Sequence, residues 1–489
     1  MKLNHLTLKK TIAGLKNKDF STVELVESYL TQMEKFRSLN AYVLELKEQA
    51  LENAKLSDKR IANNTARILE GIPIAVKDLF CTKGIRTTSG SKMLENFVPS
   101  YTATVVKNLQ DKGVIILGKT NLDEFAMGST NTNSYFGPVI NPWRNKNNPK
   151  ADLVPGGSSG GSSASVAGFL SIAALGTDTG GSIRQPAAFT GTVGIKPTYG
   201  RCSRYGMIAF ASSLDHAGVI ARSVEDGAII LENMMGYDEN DSTSENLPVP
   251  ELSKNINNSV KNVTIGIPKD LRENPDLNPE ILNNWNNVIE LLKKDGANIV
   301  DIVLPYLPYA IQVYYTIAPA EASSNLAKYD GIKYGYRYDA NDLEELYFMT
   351  RTNGFGKEVK RRIMLGTCIL SSEFKDAYFK ALKVKKLIIK DFQNAFSKVD
   401  AILLPSTPNE AFAINQQQSL IDTYLNDVFT SSANIAGLPA LSLPTALSKN
   451  GLPLSIQLVT AKFNEEKLLQ VAYNVEKLIN KQFIPGGFA

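Results

Sequence analysis

Residues 156–162 have the sequence Gly-Gly-Ser-Ser-Gly-Gly-Ser, and residues 177–184 have the sequence Thr-Asp-Thr-Gly-Gly-Ser-Ile-Arg. The region around them, residues 154–218, is rich in Gly, Ser and Ala and poor in charge, as flexible linkers are. Residues that form protein cores interrupt it, namely Val166, Phe169, Leu170, Ile172 and Leu175. We therefore expect a packed core segment and not a tether.

Short β-branched runs on either side of this region indicate strands. Residues 72–76 and 114–117 are two of them, with a helix-compatible segment at 104–112 between them. The strand-helix-strand order returns over 263–304, further buried strands are predicted at 401–405 and 441–443, and a closing helix at 464–481. This alternation predicts an α/β fold with a large, mostly parallel mixed central sheet covered by helices on both faces.

The N-terminal residues carry helix signals instead. Ser21, Thr22, Val23 and Glu24 have the spacing of a capping box, and apolar residues follow at helical intervals. We expect an N-terminal helical segment over residues 1–60 and a catalytic domain over residues 61–489. Polar residues 237–261 are the best candidate for a surface crossing within the second part.

Composition excludes several classes of protein. Hydrophobic residues make up 43% and charged residues 21%, and no apolar run is long enough to span a membrane. The N-terminus lacks the apolar core of a secretory signal, so we expect a cytoplasmic protein. Cys81, Cys202 and Cys368 are widely spaced, which argues against disulfides and against a zinc site, and no metal is expected. The net charge of +4 is too small to indicate a nucleic-acid surface.

The two histidines, His5 and His216, restrict the chemistry. Histidine is the usual base that activates a serine or cysteine nucleophile. Residues 156–160 match the G-x-S-x-G pattern of α/β-hydrolases, but that fold needs a histidine late in the chain, and none follows His216. His216 and its neighbour Asp215 cannot both serve as ordered triad partners. A hydrolase with this sequence is therefore expected to use another base.

Residues 113–120 match the phosphate-loop pattern G-x-x-x-x-G-K-[ST]. A phosphate loop must leave its strand at the first glycine, whereas the four residues between the glycines are themselves typical of a buried strand. We interpret the match as accidental; a nucleotide-binding protein is the alternative, and ATP titration would test it.

Three features together provide the base, the nucleophile and the proton relay that a serine hydrolase needs. Lys77 ends a predicted apolar strand, where its desolvated amine can be neutral and act as a base. Glycines 180 and 181 let consecutive N–H groups approach an oxyanion just before Ser182, which makes Ser182 the better nucleophile. Ser158, flanked by glycines, can relay a proton between them. Taken singly, such a lysine is more often solvated and such loops are more often turns.

These residues resemble the amidase signature family. Lys77, the loop at 156–162, the motif at 178–184 and the separation of 24 residues between the two serines all match its pattern (182 − 158 = 24). The resemblance implies the amidase signature fold, with Ser182 as the acyl-forming nucleophile, Ser158 after a cis peptide bond as the relay and Lys77 as the base. It also implies an oxyanion hole formed by the N–H groups of Thr179, Gly180, Gly181 and Ser182.

Further segments resemble the glutamine-hydrolysing members of tRNA-dependent amidotransferases within this family, over about residues 5–478. They are residues 119–129, 196–201, 321–326, 354–363 and 426–427. The resemblance implies that Arg362 binds the α-carboxylate of glutamine, that Asp427 binds its α-ammonium and that Tyr314 closes the pocket. A zwitterion does need one cationic fork and one carboxylate. Without the resemblance, a surface ion pair or a solvated helix face would be the favoured interpretation of Arg362 and Asp427.

The same resemblance implies partners. The B and C subunits of the amidotransferase would complete a heterotrimer with this chain, which would hold no cofactor. The B partner would use ATP and magnesium to activate glutamate on tRNA(Gln) and would make most contacts with the charged tRNA. Two departures from the family pattern are present. The segment at 144–153 is longer and lacks the arginine often found just before Val-Pro-Gly-Gly, and Asp215-His216-Ala217-Gly218-Val219 replaces a more usual Gln and Pro. A free-standing amidase acting on another small amide is the alternative.

Overall fold

The computed structural model describes residues 2–275, 277–416 and 419–488. Its strands are β1 (Tyr42–Glu45), β2 (Pro73–Lys77), β3 (Ile115–Thr120), β4 (Ala173–Asp178), β5 (Val193–Lys196), β6 (His216–Ala221), β7 (Thr264–Pro268), β8 (Asn298–Ile302), β9 (Ala401–Pro405), β10 (Ala440–Leu447) and β11 (Pro453–Thr460).

Its α-helices fall before, between and after these strands. They are α1 (Leu8–Asn17), α2 (Thr22–Lys35), α3 (Lys47–Ala62), α4 (Thr104–Asp111), α5 (Gly160–Ala167), α6 (Arg184–Thr190), α7 (Val224–Met234), α8 (Lys269–Arg272), α9 (Pro279–Lys294), α10 (Ala310–Asn325), α11 (Leu343–Gly354), α12 (Lys357–Leu370), α13 (Lys375–Phe396), α14 (Leu420–Leu425), α15 (Ser431–Ile435) and α16 (Glu465–Ile479).

The strands form one mixed sheet in the order β1-β3-β2-β4-β6-β5-β10-β11-β9-β7-β8. The α/β class and the large mixed sheet are confirmed. The pairs β2–β3, β2–β4, β7–β8 and β7–β9 are parallel. The centre, from β4 through β6, β5, β10 and β11 to β9, is antiparallel, so antiparallel pairs outnumber parallel pairs among the described strands. The part of the prediction that made the sheet mostly parallel is wrong, because helix-strand alternation carries no signal for the antiparallel pairing of β5 with β10 across the middle.

Helices pack on both faces of the sheet. One face contacts α5 and α6 through a small apolar cluster of Ala75, Val166, Ala174, Ile183 and Ile220. Because successive strand residues point to opposite faces, their neighbours face the main core, which α7 and α16 cover. Residues 160–167, a Gly- and Ser-rich segment in the sequence, form the fully buried helix α5. The expectation of a packed core segment is confirmed.

Residues 2–60 form helices joined by short connections, together with β1, which the helix signals did not predict. The capping box at Ser21 and Glu24 is present and begins α2. Strand β1 pairs antiparallel with β3 at the edge of the sheet. The division of the chain at residue 60 stays a prediction.

The phosphate-loop pattern at residues 113–120 lies in a strand. Its last six residues form β3, which is buried throughout and pairs with β1 and β2. Lys119 points into the core, where its amine donates to the carbonyl of Phe80 and to the hydroxyls of Thr82 and Thr87. The N–H groups of a paired strand cannot surround a phosphate, which supports the rejection of nucleotide binding at this segment. In the described residues no helix is long and apolar enough to cross a membrane.

Candidate active site

Lys77 is the last residue of β2, and its side chain is completely buried. Its Nζ lies 2.8 Å from the hydroxyl oxygens of Ser158, Ser159 and Thr177. Burial lowers the pKa of Lys77 to about 7, although the charges of Asp123, Asp178 and Asp215 act in the opposite direction. A substantial fraction of the amine is therefore neutral near pH 7 and able to accept a proton.

The loop that contains Ser158 runs into the N-terminus of α5. Its peptide bond between Gly157 and Ser158 is cis, as the family resemblance implied. The N–H of Gly157 donates to Oε1 of Gln185 at 2.9 Å. A Cβ at position 157 would lie closer than 3.0 Å to the carboxylate of Asp123 and to two backbone nitrogens. The glycine thus permits the close packing that directs Ser158 toward Lys77.

The segment 179–182 connects β4 to α6. Because β4 is the parallel neighbour of β2, this segment and Lys77 lie at the same edge of the sheet, where α/β proteins commonly place their sites. Asp178 ends the strand, accepts the N–H groups of Ile183 and Arg184, and binds the Arg184 guanidinium at 2.9 and 3.0 Å. Burial favours neutral Asp178, but the charge and hydrogen bonds of Arg184 outweigh it and hold the pKa of the carboxyl well below its usual range.

The N–H groups of Gly180, Gly181 and Ser182 have no protein acceptor within the ranges that the structure describes. The loop is held by its other groups instead. The Thr179 hydroxyl donates to Asp215 at 2.7 Å, and the Thr430 hydroxyl donates to the carbonyl of Gly180 at 2.7 Å. The three N–H groups are consequently available to an oxyanion, which is the arrangement that acyl transfer requires.

Ser182 lies beside this loop and is 6% exposed. Its carbonyl accepts the N–H of Ser159 at 3.1 Å, which places the two serine segments side by side. Its hydroxyl, in contrast, has no hydrogen bond to any described residue. The structure therefore brings Lys77 into contact with Ser158 and leaves the Ser182 hydroxyl free, as catalytic hydrogen bonds often tighten only when substrate binds.

Arg362 lies on α12 and is buried, 3% exposed. Its guanidinium carbon lies 4.9, 5.3 and 5.7 Å from the ring centroids of Tyr315, Tyr424 and Phe210. Its Nε donates to Glu358 at 2.9 Å, while its Nη1 is buried without a hydrogen-bond partner. Buried guanidinium nitrogens are normally paired, so the unpaired nitrogen indicates a place for an acceptor from outside the chain.

Asp427 and Tyr314 face the oxyanion segment. A Cβ on Gly181 would lie 3.3 Å from Oδ1 of Asp427, and a Cβ on Gly180 would lie 2.9 Å from the Tyr314 hydroxyl. Burial raises the pKa of Asp427 to about 8, against the opposing charge of Arg362. Arg362 and Asp427 form no ion pair with each other in the described residues. The surface ion pair and the solvated helix face are both wrong for these two residues, because both side chains are buried at the site.

His216 has a structural place. It is buried at the start of β6, its Nδ1 lies against the carbonyls of Leu214 and Asp178, and its ring packs against Tyr199. Burial lowers its pKa well below the usual value. It has no hydrogen bond to Lys77, Ser158 or Ser182, in accord with the expectation of a base other than histidine.

Sequence reasoning missed several residues of the site. Ser159 and Thr177 supply two of the three oxygens around the Lys77 amine, and both lie inside the two motifs, where their hydroxyls could have been noticed. Glu358, which accepts from Arg362, lies four residues before it, a helical spacing that favours such a pair. Tyr315 and Tyr424 carried no signal. Among the described residues no group of His, Cys, Asp and Glu side chains could hold a metal ion.

Known proteins resemble the chain along its length. The family model for amidase matches residues 24–469. The A subunit of glutamyl-tRNA(Gln) amidotransferase from Orientia tsutsugamushi (strain Ikeda) is 55% identical over 487 residues, which are 99% of each chain. The protein of the same name from Rickettsia bellii (strain RML369-C) is 55% identical over 491 residues, again 99% of each chain.

Solved structures agree with this result. The A subunit of glutamyl-tRNA(Gln) amidotransferase from Thermotoga maritima is 36% identical, with a TM-score of 0.80 over 98% of this chain and 95% of that chain. The peptide amidase of Stenotrophomonas maltophilia is 26% identical, with a TM-score of 0.83 over 98% of both chains. On its sequence, its fold and the family model, the chain belongs to the amidase family.

Proposed function

We propose that this chain is the glutamine-hydrolysing component of a tRNA-dependent amidotransferase, which supplies ammonia to convert Glu-tRNA(Gln) to Gln-tRNA(Gln). The observation that carries the proposal is the pair Arg362 and Asp427. Both are buried, neither is ion-paired with the other, and Asp427 adjoins the segment before Ser182. The shared name of the two 55%-identical relatives supports the same substrate.

Glutamine fits the charges of this pocket. Its α-carboxylate would bind the unpaired Nη1 of Arg362, and its α-ammonium would bind Asp427. With the ammonium bound, the Asp427 carboxylate is ionised although burial raises its pKa to about 8. Tyr314 packs against Gly180 and closes the pocket on the side of the oxyanion segment. The side-chain amide of the bound glutamine would then reach Ser182.

The first half of the reaction forms an acyl-enzyme. Neutral Lys77 takes the hydroxyl proton of Ser158, and Ser158 takes that of Ser182 as the Ser182 oxygen attacks the amide carbon. The resulting oxyanion accepts hydrogen bonds from the free N–H groups of the segment from Thr179 to Ser182. Collapse breaks the C–N bond, the proton returns through Ser158 to the leaving nitrogen, and ammonia leaves.

The second half regenerates the enzyme. Water gives a proton through Ser158 to Lys77 and attacks the ester carbon between the glutamyl group and Ser182. The C–O bond to Ser182 breaks, the serine recovers its proton, and glutamate is released. In both halves the same three residues first pass a proton toward Lys77 and then return it to the leaving group, which is the amide nitrogen in the first half and the Ser182 oxygen in the second.

The remaining components belong to partners in this proposal. The B and C subunits complete the heterotrimer, and the B partner activates the glutamate of the charged tRNA with ATP and magnesium and accepts the ammonia. This chain itself needs no cofactor. A bacterial cytoplasm is the proposed location, since the relatives named above are bacterial; an organellar homologue would work in the same way.

Ammonia release from glutamine by the chain co-expressed with the B and C subunits tests the proposal. We expect Ser182→Ala to lower the activity by about 10³-fold or more, because removal of the nucleophile leaves only binding and oxyanion stabilisation. Ser163→Ala is the matched control, a buried serine of α5 whose hydroxyl donates to the Gly160 carbonyl. An active Ser182→Ala variant would refute the mechanism.

A free-standing amidase for another small amide remains the second candidate. It predicts that an uncharged amide such as butyramide is hydrolysed as well as glutamine, and that loss of Arg362 has no effect on the preference. A preference for glutamine that disappears in Arg362→Ala would exclude it.

A further inference from the structure

Glu124 is a buried carboxylate that the mechanism above does not use. It follows β3, begins the short 3-10 helix Glu124–Ala126 and is 3% exposed. It forms no ion pair with any described residue. Buried carboxylates without a cationic partner are uncommon and depend on hydrogen bonds, so the contacts of this side chain show what it does.

Its two oxygens bind two separate parts of the chain. Oε1 accepts the Ser91 hydroxyl, and Oε2 accepts the N–H of Gly356 at 2.8 Å. Gly356 is the N-cap residue of α12, the helix that carries Arg362. A carboxylate at this end of a helix is stabilised by the helix dipole and by the otherwise unpaired N–H groups. Glu124 thus fixes the start of α12 from outside the helix.

The fit at Gly356 leaves no room for a side chain. A Cβ at this position would lie closer than 3.0 Å to Oε2 of Glu124. The rings of Phe125 and Phe355, which follow Glu124 and precede Gly356, pack edge to face with centroids 5.7 Å apart. The contact between residues 124–125 and 355–356 is therefore both polar and apolar.

The residue before Glu124 is bound to the catalytic loop. The Asp123 carboxylate accepts the N–H groups of Asn131 and Asn133 at 2.8 and 3.1 Å, and its N–H donates to the carbonyl of Ser158 at 3.3 Å. Asp123 therefore contacts the loop of Ser158, and its neighbour Glu124 contacts the helix that carries Arg362. The distance between the two parts of the site is set through this dipeptide.

We propose that Glu124 is a positioning residue that holds α12, and with it Arg362, in register with the Ser158 loop, and so determines the affinity for the α-carboxylate of the substrate. This inference rests on the proposed function. Glu124 does not touch the reacting atoms. Its loss should weaken substrate binding and leave the chemistry of the bound amide largely intact.

Steady-state glutamine hydrolysis by the complex with the B and C subunits tests this inference. For Glu124→Ala we expect KM to rise about tenfold or more, with kcat changed less than about threefold, since an interaction made equally in ground and transition states affects KM alone. Glu124→Gln keeps one acceptor oxygen and should restore KM to within about threefold of the wild-type value. Gly356→Ala should behave like Glu124→Ala, because its Cβ displaces the same carboxylate.

Two comparisons separate positioning from general stability. Glu70 is a matched buried glutamate, bonded to Ser57, Arg60 and Arg67 away from the site. Glu70→Ala should lower the unfolding temperature and leave KM unchanged. In an Arg362→Ala background, Glu124→Ala should raise KM no further, because the two residues act through one contact.

The outcomes are distinguishable. Wild-type hydrolysis of glutamine with an unchanged KM in Glu124→Ala would overturn the inference and leave the proposed function standing. A KM increase that is equally large in the Arg362→Ala background would also overturn it. A wild-type complex that does not hydrolyse glutamine would refute the proposed function and this inference with it. If Glu124→Ala does not fold, Gly356→Ala decides by the same KM criterion.

Discussion

The two halves of the site differ in how they are built. Lys77, Ser158 and Ser182 lie at the ends of parallel neighbouring strands and in the loops next to them, and the amine is surrounded by hydroxyl groups. Arg362 lies on α12 and Asp427 lies between α14 and α15, both far along the chain, and aromatic rings surround the guanidinium. The catalytic half is polar and is built on neighbouring strands and their loops, whereas the binding half is built on a helix and a connection between helices and keeps its two charges unpaired with each other.

This difference has a functional consequence. In the catalytic half, burial lowers the pKa of Lys77 to about 7, so the protein environment creates the base. In the binding half, the buried Nη1 of Arg362 has no hydrogen-bond partner and the Asp427 carboxylate has no cationic partner among the described residues, so a bound zwitterion would supply both. Substitutions in the first half should therefore reduce kcat, and those in the second half should mainly raise KM.

The largest effect is expected for Lys77→Met. Loss of the base should lower kcat about 10³-fold or more, within the range that general base catalysis contributes together with nucleophile activation. Lys119→Met is the matched control, because Lys119 is equally buried but contacts the Phe80 carbonyl and two threonines. It should lower the unfolding temperature and retain kcat. Ammonia release measured on the two folded variants checks both expectations. If Lys119→Met lost as much kcat as Lys77→Met, the assignment of Lys77 as the base would be contradicted.

Arg362→Ala should have the next largest effect. We expect KM for glutamine to rise about 100-fold with a smaller change in kcat. A hydrogen bond to a charged group contributes about 1.5–3 kcal/mol, and this one would act on bound substrate and transition state alike. Arg361→Ala controls for charge, because Arg361 is the adjacent arginine, more exposed and bound to the same Glu358. A kcat loss without a KM change would show that the two halves are not separate in function.

The pH dependence of kcat tests the catalytic half of the site separately from the binding half. Lys77 works as the neutral amine, so kcat should rise with pH through about 7 and level off above it. Thr177→Val removes one of the three oxygens that accept from the ammonium form, which should move this limb to lower pH by less than about one unit. Rates measured from about pH 5.5 to about pH 9 on both proteins check the sign. A shift to higher pH would show that Thr177 stabilises the neutral amine.

The smallest effect is expected for His216→Gln. The histidine contacts backbone carbonyls and a tyrosine ring but none of the triad, so kcat should remain within about threefold of wild type. Ammonia release at about pH 8, where Lys77 is mostly neutral, checks this. A loss comparable to that of Lys77→Met would mean that imidazole takes part in catalysis after all.

Much of the fold and the catalytic half could be predicted from the sequence. Strand β2, helix α4 and strand β3 lie where the β-branched runs and the helical spacing indicated. Lys77, Ser158, Thr179, Gly180, Gly181 and Ser182 were found because their chemistry depends on short motifs, in which glycine permits a loop and a strand end presents a side chain. Their catalytic roles stay predictions until activity is measured.

The sequence by itself determined the local structure and the residue types of the site, because turn conformation, strand periodicity and the scarcity of histidine are properties of short segments or of composition. Only the tertiary structure decided the antiparallel centre of the sheet, the aromatic surroundings of Arg362 and the contact of Glu124 with Gly356. These depend on pairs of residues tens to hundreds of positions apart. Burial then decides whether a lysine is charged or whether one guanidinium nitrogen lacks a hydrogen-bond partner, and burial exists only once those distant segments have packed together.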